Sequence, residues 1–349
     1  MNLNSRNGFR LLVAALFLVL VPCNPVHSQT KYLFKVASIA PDGSVWAKRF
    51  RNFADEVEKK SNGEIGFKIY LGGVMGDDTA MYRKMQIGQL HGGGFTMTGI
   101  GPVVPDFRVM GIPFLFNSYE EVDHVVKGLM PSFEKAFAEK GLELIAMTEV
   151  GFVYSMSTRP LLTLADLTKS KSWSPSGDPI SATFLKQLGV TPITLSIPDV
   201  LTALQTGMVD TVYNSLYGSI VLQWYTKADK ISDTPFGYAY GALLLDKKNF
   251  SRLPPEYAAL IKESAASHFS LLIEDTRKSN AEARRVLEEN NVQFSVPAPG
   301  EVNQLCAKRD KTVRLMEGNE FSSEIYQKTM QLLNDFRSRK QEQAAGTEH

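Results

Sequence analysis

The segment HGGGF, residues 91–95, contains the residue types in this sequence that come closest to a catalytic motif. In esterases a similar run of glycines helps to form the oxyanion hole, and the nucleophile lies in a separate G-x-S-x-G turn. The chain contains no G-x-S-x-G. Glycines also let a strand pass close to a neighbouring backbone, which is the interpretation we favour. A hydrolase that uses HGGGF remains the alternative from another class of function.

Signatures of metal, nucleotide and redox chemistry are missing from the sequence. No two of the five histidines have the spacing of metal ligands, and there is no C-x-x-C, P-loop or G-x-G-x-x-G. Asp77 and Asp78 form an acidic pair after a glycine, where they would complement the dipole of a following helix. We therefore predict a protein without catalytic residues, metal or cofactor, whose task is binding.

One tryptophan stands in surroundings that do not suit it. The segment KSKSWSPSGDP, residues 169–179, is polar, basic and rich in turn-forming residues, and Trp173 is its one aromatic side chain. An indole ring offers apolar area to a ligand and a quadrupole that attracts cations. Trp173 is therefore either core beneath a loop or part of a binding site.

The amino terminus has the pattern of a secretory signal peptide. Arg6 and Arg10 precede an apolar run at residues 11–21, and VHS before Gln29 is a suitable cleavage site. The run is too short to span a membrane. We predict cleavage after Ser28 and a periplasmic location for the mature protein.

Composition and length limit what the mature chain could be. Loss of the two arginines changes the formal net charge from +1 to −1, which argues against a nucleic-acid partner. Only Cys306 remains after cleavage, so no internal disulfide is expected. A mature chain of this length suggests two domains.

Strand and helix patterns alternate in the first third of the mature chain. Residues 31–38, 64–71 and 92–98 have the pattern of strands, and residues 44–63 and 77–90 have helical spacing of apolar side chains. This order predicts an α/β fold with a largely parallel sheet.

The segment from Glu256 to Val296 contains no glycine or proline. It predicts one helix of about 35 residues and about 50 Å, long enough to brace two lobes. Two helices with a tight joint near Ser279–Asn280 are the alternative. The polar tail, residues 336–349, is expected to fray.

Four segments resemble one family of transport proteins. Residues 72–90, 112–125, 161–167 and 197–214 resemble, in the same order, the solute-binding subunits of tripartite ATP-independent periplasmic (TRAP) transporters of the dicarboxylate-binding type. The resemblance covers nearly the whole mature chain, and Pro198 to Asn214 is its most specific part.

The resemblance implies a two-lobed periplasmic binding protein fold with a hinge and a long helix that spans both lobes. Lobe I would comprise residues 29–150 and about 236–279, and lobe II residues 151–235 and about 280–335. The lobes would close on a small ligand and deliver it to the membrane subunits of a TRAP transporter. A sensory receptor in place of the transporter fits the sequence equally well. A monomer and a homodimer both remain open.

In the family, an arginine in a pattern like LADLKGLKIR-P holds the ligand's carboxylate. Here the stretch is LADLTKSKSWSP, which places Trp173 at the arginine position, and a second arginine of some relatives falls on Val153. The other implied pocket positions are Ala37, Asp78, Thr96, Ile197 and Asn214, and the aromatic residues Tyr154, Tyr217, Phe236 and Tyr238 are further candidates.

This departure changes the expected ligand. A carboxylate in a closed cleft without a cation carries a desolvation cost of several kcal/mol, whereas an indole ring supplies apolar area. We therefore predict an apolar, aromatic or amphiphilic ligand. The alternatives are an organic acid held by a displaced cation, or a cationic ligand. The candidate cations are Lys169, Lys171, Arg108 and Arg159.

Overall fold

A computed structural model describes residues 30–346, and the predicted signal peptide lies outside the described residues. The strands are β1 (Tyr32–Ser38), β2 (Ile65–Tyr70), β3 (Gly92–Thr96), β4 (Leu142–Ser157), β5 (Trp173–Pro175), β6 (Ile193–Leu195), β7 (Thr211–Asn214), β8 (Lys230–Ser232), β9 (Gly237–Asp246) and β10 (Gln293–Ser295). The helices are α1 (Val45–Lys60), α2 (Asp78–Gln86), α3 (Met97–Ile100), α4 (Tyr119–Glu139), α5 (Leu164–Thr168), α6 (Pro179–Gln187), α7 (Val200–Gln205), α8 (Leu216–Val221), α9 (Lys247–Phe250), α10 (Pro255–Glu289), α11 (Glu301–Met316) and α12 (Ser323–Gly346). Short 3₁₀ turns lie at Pro105–Gly111, Ile197–Asp199 and Trp224–Thr226.

The early helices begin where polar side chains cap free backbone N–H groups. The Ser44 hydroxyl accepts a hydrogen bond from the first turn of α1 at 3.2 Å, and the Asp77 carboxylate accepts one from the N–H of Ala80 at 2.8 Å. Asp77 therefore caps α2, and Asp78 is the first helical residue.

The sheet joins two lobes. In the first lobe, which we define by β1–β3 and α1–α4, β1 lies parallel to β2 and β3. In the second lobe, defined by β5–β8, β10 and α5–α8, β8 lies parallel to β10. The strands β4 and β9 connect the lobes.

The prediction of a largely parallel sheet is wrong. The strand β9 runs antiparallel to β3 and β4, and β4 runs antiparallel to β7 and β8. Strand–helix alternation makes neighbouring strands parallel within a lobe. However, β4 leaves the first lobe whereas β9 enters it, so these two strands cross between the lobes in opposite directions.

The crossing of β4 contains an irregularity at Gly151. The register against β9 shifts between Glu149 and Gly151, and Gly151 has a φ of 108°. A Cβ there would lie 2.6 Å from the side-chain amide of Asn280. Glycine is therefore needed both for the backbone conformation and for the close approach of α10.

The long helix predicted from residue 256 is confirmed as one element. The helix α10 runs without interruption over 35 residues, so a joint near Ser279–Asn280 is wrong. It packs against α1 of the first lobe, the crossing strand β4 and α8 of the second lobe. It therefore spans both lobes.

The carboxyl-terminal helix differs from the prediction in two ways. The helix α12 extends through residues 336–346, which were expected to fray, because Arg337 donates to Glu121 at 2.8 Å and Phe336 packs on His124. It also lies against α4 of the first lobe, whereas residues up to 335 were assigned to lobe II. Ile325 and Leu333 belong to the first lobe's apolar cluster, which explains this placement.

Apolar clusters lie on both sides of the crossing strands. The rings of Phe133 and Phe137 meet Phe107 edge to face in the first lobe. Trp173 and Trp224 lie in the cluster of the second lobe.

Within residues 30–346, no helix combines the length and apolarity needed to cross a membrane.

Candidate functional site

A cavity of about 210 Å³ lies between the lobes, beside the crossing strands β4 and β9. The first lobe contributes the carboxyl ends of β1 and β3, and the second contributes β5 and β7. Aromatic side chains from both lobes dominate the lining, among them Trp46, Phe95, Trp173, Tyr213, Trp224 and Phe236.

The charges in the lining are all negative. Glu149 and Asp178 line the cavity, and among the described residues no lysine, arginine or histidine does. The lining therefore provides no cation to neutralise an anionic ligand by direct contact.

Trp173 contributes to the cavity and to the core of the second lobe at once. Its side chain is 2% exposed and meets Trp224 edge to face, with the ring centroids 5.2 Å apart. Its indole N–H donates to the carbonyl of Leu195 at 3.0 Å. This bond pins the ring because β5 and β6, which carry the two residues, are paired.

The phenolic hydroxyls of the lining have partners within the protein. The Tyr213 hydroxyl lies 3.0 Å from the Ser172 hydroxyl, and the Tyr238 hydroxyl donates to Glu149 at 2.8 Å. The Tyr240 hydroxyl donates to the carbonyl of Phe107. Burial raises the pKa values of Tyr213 and Tyr240, so both stay neutral. These residues offer rings to a ligand more than hydrogen bonds.

Glu149 belongs to an ion-pair network at the crossing. Arg277 on α10 donates to Glu149 at 2.8 Å and to Asp123 at 2.6 Å. Burial raises the pKa of Glu149, while Arg277 and Tyr238 act against that shift. The guanidinium also lies over the ring of Tyr119, 4.4 Å from its centroid.

The predicted polar residues lie at two places. Asn214 lines the cavity, and its Oδ1 accepts from the N–H of Ser215 at 2.8 Å, which leaves its NH₂ group as the donor available to a ligand. Thr96 also lines the cavity and donates to Asp78 at 2.7 Å. Asp78 itself lines a smaller gap between the lobes, and burial raises its pKa to about 7.

The cavity brings together most, but not all, of the predicted site residues. Its lining includes Trp173, Val153, Asn214, Thr96, Ile197, Phe236 and Tyr238. Four other predicted residues lie outside it: Ala37, Asp78, Tyr154 and Tyr217.

Ala37 is fully buried in β1, where it pairs with Gly93. Tyr154 packs against the second lobe's apolar cluster. Tyr217 turns towards α1, where its hydroxyl accepts from the N–H of Val45 at 2.9 Å and its ring packs on Trp46. These contacts explain why the three side chains do not reach the cavity.

The four basic residues proposed as alternative partners for a carboxylate also lie outside the cavity lining. Lys169 is exposed, and the Lys171 ammonium donates to the carbonyl of Gly207 at 3.0 Å. Arg159 lies 4.0 Å from Asp210, and Arg108 pairs with Glu320 at 3.0 Å. None of these four residues is part of the lining.

The glycines of HGGGF serve strand packing. Gly92–Thr96 form β3 between β1 and β9. A Cβ at Gly92 would lie 2.5 Å from the carbonyl oxygen of Leu244, and one at Gly93 would lie 2.8 Å from that of Ala37.

The residues that the structure describes hold no group of three or more His, Cys, Asp or Glu suited to a metal ion.

Several residues of the cavity lining were not among the site residues predicted from the sequence. Trp46 lies on a helix whose spacing indicates core, and Trp224 lies in a 3₁₀ turn far along the chain. Asp178 is five residues after Trp173 in the same polar segment, and the GDP turn around it was the available signal. Glu149 lies within a strand pattern, where an isolated acid gave no reason to suspect a site.

Comparisons of sequence and fold with known proteins point to extracellular solute-binding proteins. A model of the family described as DctP, bacterial extracellular solute-binding protein, family 7, matches residues 36–318. The C4-dicarboxylate-binding periplasmic protein DctP of Rhodobacter capsulatus is 23% identical over 261 residues, which cover 74% of this chain and 77% of that protein.

Two further proteins extend the comparison. The ectoine/5-hydroxyectoine-binding periplasmic protein UehA of Ruegeria pomeroyi is 24% identical over 288 residues, covering 79% of this chain and 81% of that protein. A TRAP periplasmic solute-binding protein from Xanthobacter autotrophicus, crystallised with β-D-galacturonate, has a TM-score of 0.80 at 20% identity. That match covers 86% of this chain and 99% of the other, and shows a common fold.

Proposed function

The chain belongs to bacterial extracellular solute-binding protein family 7, and from this premise we propose that it is a periplasmic receptor for an uncharged, mainly apolar ligand. The resemblance to TRAP solute-binding subunits is confirmed, and the family consists of binding proteins, so the hydrolase interpretation of HGGGF is wrong. In this proposal the receptor delivers its ligand to the membrane subunits of a TRAP-type secondary transporter.

The observation that carries the proposal is the absence of a basic side chain from the described lining of the cavity. A buried carboxylate needs a cation or several hydrogen bonds to offset the loss of its hydration. Trp173 occupies the position at which the resemblance places an arginine, and its buried ring brings no charge to the cavity. The partly exposed apolar residues of the lining, such as Val153 and Phe236, offer area worth roughly 25 cal/mol per Å² buried. The cavity therefore favours apolar contact over charge pairing.

The volume indicates the size of the ligand. An engineered apolar cavity of about 150 Å³ binds benzene. A cavity of about 210 Å³ accommodates a somewhat larger body, such as a substituted ring or a compact terpenoid. Asn214 provides a place for one polar group of such a ligand.

The ligands named for the compared proteins are a C4-dicarboxylate, ectoine or 5-hydroxyectoine, and β-D-galacturonate, all of which carry a carboxylate. Each named ligand belongs to the protein that binds it, and the lining of this cavity differs in charge from what those ligands would require. For this chain we propose that Trp173, Val153, Ile197 and Phe236 form the apolar surface.

Calorimetry with matched ligands tests the proposal. The probes are neutral amides with one ring or a compact alkyl body, such as 2-phenylacetamide, and the carboxylates of the same shape, such as phenylacetate. We expect one-to-one binding of at least one amide and weaker binding of its acid. Uniformly tighter binding of the acids would overturn the proposed ligand class.

The substitution Trp173→Arg provides the matched control. It restores the cation that the resemblance implies at this position and removes the indole surface. We expect weaker amide binding and a shift in preference towards the acid. Unchanged affinity for the amide would remove Trp173 from the binding surface.

A further inference from the structure

Asp178 is the carboxylate in the cavity lining that has no cation in hydrogen-bonding contact. Its side chain is buried, with 6% of the residue exposed. Both carboxylate oxygens accept from Ser181, Oδ1 from the backbone N–H at 3.1 Å and Oδ2 from the hydroxyl. These donors are neutral, so they orient the carboxylate without cancelling its charge.

Glu149, the other acid of the lining, differs in this respect. Three hydrogen bonds join it to the guanidinium of Arg277, and the Tyr238 hydroxyl donates a fourth. The charge of Glu149 is therefore offset by direct contact. A ligand beside Glu149 meets an ion pair, whereas a ligand beside Asp178 meets a carboxylate with neutral partners.

Arg108, the cation that acts on Asp178 electrostatically, is hydrogen-bonded to other groups. Arg108 donates to the Glu320 carboxylate at 3.0 Å and to the carbonyl of Gly177 at 3.3 Å. Burial raises the pKa of Asp178, while the hydrogen bonds from Ser181 and the charge of Arg108 act against that shift. None of the hydrogen bonds of Arg108 in the described chain reaches the Asp178 carboxylate. The charge of Arg108 is shared with Glu320, so it compensates Asp178 only in part.

We propose that Asp178 is a specificity-determining residue of this receptor, which excludes anionic ligands and favours ligands that present a neutral or cationic group at that end of the cavity. The inference rests on the proposed function, because it concerns the same cavity. A like charge at short range in a partly desolvated site is repelled by more than it would be in water. Discrimination against acids thus comes from repulsion as well as from the missing cation.

Asp178→Asn tests this proposal with little change to the fold. Asp178 caps the first turn of α6, and asparagine caps helices about as well as aspartate. The measured quantity is the ratio of the dissociation constants of phenylacetate and 2-phenylacetamide, or of the best-bound pair of the same kind. We expect this ratio to fall by about tenfold in the variant, because one repulsive charge is lost.

Two further measurements separate charge selection from a structural effect. A cationic probe of similar shape, 2-phenylethylamine, should bind more weakly to Asp178→Asn than to the wild type. Asp246→Asn is the matched control, since Asp246 caps α9 in the same way but lies outside the lining. It should leave the acid-to-amide ratio unchanged.

Asp178→Ser provides a second variant that keeps a capping hydroxyl and removes the charge. If both variants bind the amide and neither changes the acid-to-amide ratio, the role of Asp178 is overturned while the proposed function stands. If the wild type binds acids more tightly than amides, or binds no amide of the panel, the proposed function falls and this inference falls with it.

Discussion

At the residue scale, Trp173 links the site to the core. One side chain lines the cavity and packs against Trp224. Its N–H is satisfied by Leu195, so the ring can be buried without an unpaired donor. A change at Trp173 would therefore alter the chemistry of the cavity and the packing of the second lobe together.

Asp78 should make folding stability depend on pH. Its pKa is raised to about 7 in the folded protein from an ordinary value of 3.8, mainly by burial. The unfolded chain thus releases this proton first, and the contribution of Asp78 to the free energy of unfolding falls as pH rises from about 4 to about 7. We expect Asp78→Asn to become progressively more stable relative to the wild type over that range.

Urea denaturation at several pH values between about 4 and 8 measures this difference. Asp246→Asn is the control, because asparagine retains the cap of α9 and the charge of Asp77, which contributes to the raised pKa of Asp78, stays in place. A stability difference for Asp78→Asn that stays flat across the range would contradict the raised pKa.

The sequence allowed some of these residues to be predicted and not others. Trp173 could be found because it interrupts a recognisable stretch at a fixed distance from Leu164. Asp178 could not, since its importance depends on where Arg108 and Arg277 place their charges, and both lie on distant elements. Tyr217 was predicted for the cavity, but the direction of its side chain is set by the approach of α1, which the local sequence does not reveal.

At the element scale, three groups hold the point where β4 crosses between the lobes. The Trp46 N–H donates to the carbonyl of Glu149 at 2.8 Å, and the Asn280 amide donates to that of Val150 at 2.9 Å. Arg277 holds the side chain of Glu149. The helices α1 and α10 thus fix the segment of β4 that also lines the cavity.

Removing Arg277 should destabilise this arrangement strongly. Arg277→Met leaves Glu149, whose side chain is 1% exposed, without its cation. We expect a loss of about 3–5 kcal/mol in the free energy of unfolding, measured by urea denaturation. The double variant Arg277→Met with Glu149→Gln should recover part of that loss.

Arg285→Met is the matched control on the same helix. Arg285 is 71% exposed, and its ion-pair partner among residues 30–346 is Glu289, one turn away. Its replacement should change the free energy of unfolding by less than about 0.5 kcal/mol. Equal losses in the two variants would contradict a special role for the buried pair.

Gly177 provides a close contact between the lobes. A Cβ at Gly177 would lie 2.7 Å from the carbonyl oxygen of Thr98 in α3. We expect Gly177→Ala to disfavour the closed arrangement, which would weaken amide binding and increase the radius of gyration measured by small-angle scattering with ligand present.

Gly207→Ala is the control that distinguishes the effect of the contact between the lobes from the effect of backbone strain. Gly177 and Gly207 have φ values of 81° and 68°, and a Cβ at Gly207 would meet nothing within 4 Å. Both variants therefore carry the cost of a left-handed residue, but only Gly177→Ala presses the lobes apart. Identical scattering and affinity in the two variants would contradict the closure argument.

Element types followed from local patterns more readily than their pairing did. The uninterrupted run after Glu256 predicts α10 because no residue in it breaks a helix. The antiparallel course of β4 and β9 depends on which lobe each strand leaves, and hydrophobic spacing carries no such information. The docking of α12 on α4 likewise depends on partners such as Glu121, about 200 residues away in the chain.

At the scale of the whole molecule, the two lobes meet around one cavity and share α10 as a brace. A single helix packed against both lobes, and two antiparallel strands crossing between them, connect the lobes. The family membership and this architecture agree on a binding protein. The division at residue 150 and the oligomeric state stay predictions.

The central claim is that this cavity selects an uncharged, mainly apolar ligand, and the ligand retained from cells tests it most directly. The mature protein is purified natively and denatured, and the released small molecules are identified by mass spectrometry, with Trp173→Arg as the comparison. We expect a neutral aromatic compound or a compact terpenoid at close to one per protein, depleted in the variant. A dicarboxylate, keto acid or sugar acid at that stoichiometry would contradict the account.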